Sequence, residues 1–156
     1  MQVSSFPSIE ELVPHTRSMR LVDDVVALDT EKGEITVSAV IRKEWCENWA
    51  TIELMAQAAA ALVGAVDVAN GRSAKEKPGF LLGTRKLEMN VDSLKPGETY
   101  LIDAKTMLAD GDAASFSCAV RDKAGAIIAT ATLNAYRPSD LSAFMAAFQP
   151  PAAQPA

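Results

Sequence analysis

Imidazole is almost missing from this sequence. Its 156 residues carry one histidine, His15, so a multi-histidine metal centre is excluded and acid–base chemistry that needs imidazole must use that one side chain. Cysteine is scarce as well: Cys46 and Cys118 have no metal-ligand spacing, and a reducing cytoplasm is the expected compartment. Positive charge never gathers into a cluster, and the formal net charge is -5, which argues against nucleic acid or an anionic membrane surface as partner. The N-terminus has neither a positive n-region nor an apolar h-region. No internal repeat is visible, and the Ala/Pro-rich end is the one low-complexity stretch. What remains is one domain's length of chain, long enough to bury a core.

One stretch organises that chain: WATIELMAQAAAALVGAVDV, Trp49 to Val68. Its apolar residues fall on every side of a helical projection, the mark of a helix enclosed by other structure. Alanines and Gly64 let a sheet approach the backbone closely, while Leu54, Met55, Leu62, Val63 and Val66 supply bulk. Glu53, Gln57 and Asp67 interrupt the run, which makes it too polar for a membrane span. Glu53 and Gln57 lie four residues apart, one above the other near the helix start. A carboxylate on an enclosed helix costs several kcal/mol unless it is paired, wetted or used. Two readings of Glu53 follow: a first-turn acid favoured by the helix dipole, with Asn48 or Thr51 as N-cap, or a functional carboxylate.

Before this helix, SIEELV reads as a short helix capped by Ser8 at the domain edge. Pro14 places His15 in an extended or turn segment leading into a strand expected from about Met19 to Leu28. DTEKG reads as a turn, and GEITVSAVIR alternates as a half-buried strand. Trp45 and Trp49 are packing at the helix entrance or the wall of an apolar pocket. After the helix comes the polar loop NGRSAKEKPG, expected to be mobile. A strand follows in which Leu87, Met89 and Val91 alternate with polar residues, then a Pro96-Gly97 turn and three further strand-like runs joined by short connectors. The expected domain spans 1–138, with 139–156 a C-terminal extension disordered at its end.

Two strands, one buried helix and four antiparallel strands form an α+β layout in which a curved sheet wraps the helix and a second copy completes the burial. That order resembles the hot-dog fold. PHTRSMRLVDDVV at Pro14 to Val26, IELMAQAAA at Ile52 to Ala60 and GFLLGTRKLEMNV at Gly79 to Val91 resemble β-hydroxyacyl-(acyl carrier protein) dehydratases, and most closely the ApeP-like branch associated with aryl polyene biosynthesis. More distantly they resemble FabZ-type enzymes, whose histidine lies in an HFPG-like segment where this chain reads KEWCENWAT. The resemblance covers about residues 8 to 138. It implies dimers with the active site at the subunit interface and a helix carboxylate working with a histidine, here Glu53 and His15.

The implied reaction converts a 3-hydroxyacyl thioester to a trans-2-enoyl thioester, with no cofactor and no metal. It needs a base for the proton alpha to the carbonyl, an acid for the departing hydroxyl and donors for the enolate oxygen. His15 suits the base. Glu53 suits the acid if its pocket is dry. Backbone N–H groups around Ala50 to Ile52 are candidate oxygen donors, with Trp49, Ala50 and Thr51 at the substrate. Gln57 is expected to orient Glu53, to bind the substrate hydroxyl, or to be a satisfied buried amide. Phe80, Leu81, Leu82 and the Trp45 to Trp49 loop are the expected walls of an acyl tunnel. The thioester's carrier is an acyl carrier protein, whose acidic surface a local basic spot would meet, or coenzyme A. The subunit partner is a second copy or a related hot-dog chain. Alternatives on the same fold are an acyl-binding or partner-stabilising subunit without turnover, and an acyl thioesterase.

Overall fold

The computed structural model describes residues 6–14, 18–73 and 80–138 together with Ser142 and Ala146; of residues 80–82 it describes the backbone. The element order is α1 (Ile9–Leu12), β1 (Asp24–Asp29), β2 (Glu34–Val40), a 3-10 turn (Lys43–Trp45), α2 (Ala50–Ala69), β3 (Phe80–Met89), β4 (Thr99–Asp110), β5 (Ala113–Arg121) and β6 (Ile127–Tyr136). The strands form one antiparallel sheet in the order β1-β2-β4-β5-β6-β3. The crossover from β2 through α2 therefore carries the chain from one side of the sheet to its far edge, and β1 and β3 are the two edges.

α2 lies on the inner face of the sheet. Alternation along the strands sends Ile35, Val37 and Ala39 of β2, Tyr100, Ile102 and Ala104 of β4, and Phe116, Cys118 and Val120 of β5 inward. From α2 they meet Ala50, Leu54, Met55, Ala58, Ala61, Leu62 and Ala65, and these residues form one core. The alanines matter here because a sheet can approach the helix backbone where no long side chain holds it off. α2 is also the one helix among the described residues long and apolar enough to cross a membrane, a length and composition that its place in this core accounts for.

The short N-terminal helix packs on α2, with Ile9, Leu12 and Val13 buried and Glu10 and Glu11 exposed. Two expectations need correction. The strand expected from Met19 begins at Asp24. Leu21 and Val22 are both buried, and the Leu21 N–H takes a side-chain partner instead of a ladder. On β3 the expected alternation is broken by a register shift between Arg85 and Glu88, where Lys86 takes φ +51 and Leu87 turns outward. The loop at residues 74–79 and most of the extension lie outside the described residues; Ser142 and Ala146 are helical and exposed.

Candidate functional site

Glu53 is the fourth residue of α2, in its first turn, and half-buried. One turn on, Gln57 is fully buried, and a buried amide must satisfy its polar atoms inside the protein. Its carbonyl oxygen accepts the Leu21 N–H at 2.7 Å. Its nitrogen donates to the Met19 carbonyl at 2.8 Å and to Glu53 Oε1 at 2.9 Å. The i, i+4 pair thus joins the helix carboxylate to the segment entering β1. Arg42, just past β2, grips the same segment from another side, donating through Nη2 to the Ser18 carbonyl at 3.2 Å and the Arg20 carbonyl at 3.0 Å.

His15 lies outside the described residues. Ser18, three positions further along the chain, is the first described residue after it and accepts from Arg42.

At the helix entrance, Trp45 and Trp49 stack edge to face, with ring centroids 5.5 Å apart and planes at 67°. Trp49 is 49% exposed, so the pair both packs and offers an apolar surface at the helix entrance. Ala50 and Thr51 are fully buried. Their amides do not match the expected oxygen donors: Ala50 N donates to Glu47 O at 3.0 Å, Thr51 N to Asn48 O at 3.2 Å and Ile52 N to Trp49 O at 3.1 Å. Tight i→i+3 bonds use these N–H groups before any ligand arrives. Neither Asn48 nor Thr51 caps the helix with its side chain. Trp49 is the N-cap residue in helical geometry, and the Thr51 hydroxyl donates back to Asn48 O at 2.7 Å.

The two expected tunnel walls lie at opposite ends of α2. Phe80 pairs with Tyr136, and the next residue, Arg137, forms a fork with Asp67 in the last turns of the helix. Ser93, beyond the far end of β3, bridges Glu47 beside the tryptophans. Glu53 and Asp67 are fourteen residues apart, which at 1.5 Å rise per residue is about 21 Å. Within one chain the backbone of the Phe80 to Leu82 stretch is therefore at the other end of the helix from Glu53. The side chains of Phe80, Leu81 and Leu82 lie outside the described residues.

Asp67 and Arg42 escaped the sequence reading as members of ion or hydrogen-bond clusters. Asp67 is almost wholly buried, held by Arg137 and, at 3.3 Å, by Arg72, and it ties α2 to the end of β6. A lone acid in an apolar helix was its signal; its partners come from distant segments. Among the described residues no group of three or more His, Cys, Asp or Glu side chains could hold a metal.

An antiparallel sheet curled around one long helix, with a carboxylate and a buried amide at the helix start, defines a hot-dog protein. The Xenorhabdus doucetiae dehydratase heterocomplex ApeI:P has this fold, at TM-score 0.78 and 20% identity over 92% of this chain and 99% of that one. So does a hypothetical thioesterase from Streptococcus pneumoniae TIGR4 solved with coenzyme A, at TM-score 0.57 and 10% identity over 74% of this chain and 84% of that one. A third is smu.793 from Streptococcus mutans UA159 bound to acetyl CoA, at TM-score 0.53 and 17% identity over 80% and 96%. No curated protein matches the sequence. The ApeP-like family model, described as ApeP dehydratase, matches residues 7–146, and the chain belongs to that family. It is a dehydratase, a lyase acting on a hydroxyacyl group.

Proposed function

We propose that His15 and Glu53 carry the dehydration of a 3-hydroxyacyl thioester to its trans-2-enoyl product, at a site completed by a second hot-dog chain. His15 removes a proton from C2, the C3–O bond breaks as Glu53 protonates the departing hydroxyl, the C2–C3 double bond forms and water leaves. One observation carries this reading: the Gln57 amide binds Glu53 and, with the same nitrogen, the Met19 carbonyl. It joins the helix carboxylate to the chain segment that runs on from His15. The carbonyl oxygen needs a donor other than the Ala50 to Ile52 amides, which are already paired.

The need for a second chain follows from the separation of the walls. Where two such helices run antiparallel, the β3 start of one chain comes to the Glu53 end of the other, and an acyl chain gains an apolar wall. The ApeI:P heterocomplex supports a related subunit as that partner, and the coenzyme A and acetyl CoA complexes of two other neighbours of the same fold support an acyl thioester as ligand. We assign the thioester to an acyl carrier protein or coenzyme A, and the reaction to the cytoplasm. Gln57 orients Glu53 in this reading, and Trp49 faces the substrate.

The test is hydration of a trans-2-enoyl thioester by the purified chain, alone and with a related hot-dog subunit, followed by loss of enoyl absorbance. His15→Ala and Glu53→Gln are expected to abolish hydration while melting at an unchanged temperature. Release of free thiol without hydration would make the protein a thioesterase. Binding without either reaction would make it an acyl-holding subunit.

A further inference from the structure

From Ser18 to Val22 the chain passes the start of α2 with no backbone–backbone hydrogen bond among the described residues. The carbonyls of Ser18, Met19 and Arg20 and the N–H of Leu21 are four main-chain groups within four residues, and each is bonded to a side chain. Arg42 takes the Ser18 and Arg20 carbonyls, while Gln57 takes the Met19 carbonyl and the Leu21 N–H. Leu21 and Val22 then bury their side chains, and the Asp23 N–H reaches the Ser38 carbonyl at 2.8 Å, where strand pairing begins. The Arg20 side chain adds an exposed ion pair to Glu10 on α1 at 3.4 Å, which contributes little.

We infer that Arg42 is a positioning residue of the dehydratase site, forming with Gln57 a two-sided clamp that sets the Ser18 to Leu21 segment against Glu53. The inference rests on the function proposed above. A guanidinium suits the task because its donors sit in a rigid plane, so one nitrogen reaching two carbonyls two residues apart fixes the direction of the segment as well as its distance. Gln57 supplies the complementary constraint from the helix, and the same amide holds the carboxylate. With either side released, the segment keeps its hydrophobic anchors at Leu21 and Val22 but loses its register relative to Glu53. Displacements of that size act on kcat, because the reacting groups must meet in one geometry, whereas contacts to the rest of the substrate are untouched.

The experiment compares the full chain with its Arg42→Met, Arg42→Lys and Gln57→Met variants in two measurements. The first is dehydration of a short 3-hydroxyacyl-N-acetylcysteamine thioester, with kcat and KM separated, at a temperature where all variants are folded. Arg42→Met is expected to lose about tenfold or more in kcat with KM within about twofold, and Arg42→Lys to recover part of the loss. The second is hydrogen exchange at the Leu21 N–H, which needs no turnover and is expected to accelerate in Arg42→Met and Gln57→Met. Unchanged exchange at Leu21 in both variants, or an Arg42→Met kcat within about twofold of the parent, overturns the clamp. A rise in KM alone assigns Arg42 to substrate binding and overturns positioning. Should the parent chain show no turnover either alone or with a related hot-dog subunit, the proposed function falls, and the exchange measurement alone decides whether the clamp exists. If Arg42→Met does not fold, Arg42→Lys is read against the same criteria.

Discussion

Two side chains outside the site show how burial and charge decide behaviour. Burial pushes the Cys118 thiol up to about 12, with the Asp103 carboxylate adding to the effect. Cys46 is only half-buried. A thiol reagent at pH 8 is therefore expected to label one cysteine per folded chain, Cys46, and both after denaturation; two rapid equivalents in the folded protein would refute this. Asp103 faces outward from β4, and burial alone would raise its pKa. Hydrogen bonds from Arg121 and Thr36, with the Arg121 charge, outweigh that and hold it below the usual carboxylate value. A depressed carboxylate adds stability above its unfolded pKa of about 3.9, and that stability is lost as pH falls through the folded value. With the pair about a third exposed, its worth is screened to about 0.2–1 kcal/mol. Asp103→Asn should lower the melting temperature slightly at pH 7 and remove that part of the acid dependence below about pH 4. Gln57→Leu is a different matter, because it strands the Leu21 N–H in the interior and also releases the part-buried Met19 carbonyl, and a loss of about 1–3 kcal/mol in denaturant unfolding is expected.

At the scale of elements, the β1–β2 turn shows sequence and packing agreeing. Asp29 caps it by accepting the Lys32 N–H at 2.9 Å, and Gly33 closes it at φ +68. Its missing Cβ would lie 3.0 Å from Thr106 Oγ1, while its carbonyl accepts the Thr106 N–H at 2.8 Å. Gly33→Ala thus combines left-handed strain with a close approach to β4, and a destabilisation of about 1–2 kcal/mol is expected; an unchanged melting curve would count against it. β2, β4, β5 and β6 were legible in the sequence as strands. The start of β1 and the irregularity of β3 were not. Buried Leu21 and Val22 and the left-handed Lys86 answer to distant partners, which no local period encodes.

For the whole molecule, β3 has an outer edge without a strand partner among the described residues, and the half-exposed Ile52, Ala56, Ala60 and Val63 form an apolar flank along α2. The isolated chain is expected to associate, and light scattering at micromolar concentration giving 16.6 kDa would contradict this. Removal of Gln149 to Ala156 is expected to leave the melting temperature unchanged, since a Pro-rich end buries little. A drop of several degrees would show that the end is docked.

By itself the sequence determined the enclosed helix, the alternating strands and the pairing of Glu53 with Gln57 on one helix face. Those properties are periodic and local, so 3.6-residue and two-residue repeats reveal them. The family resemblance supplied the role proposed for His15, which no pattern of spacing would have shown. Only the tertiary structure decided that Gln57 spends its amide on Met19, Leu21 and Glu53, that Arg42 joins it, and that the Ala50 to Ile52 amides are already used. Each of these is a hydrogen bond whose partner is chosen by which segment the sheet carries past the helix, and that choice belongs to the fold as a whole.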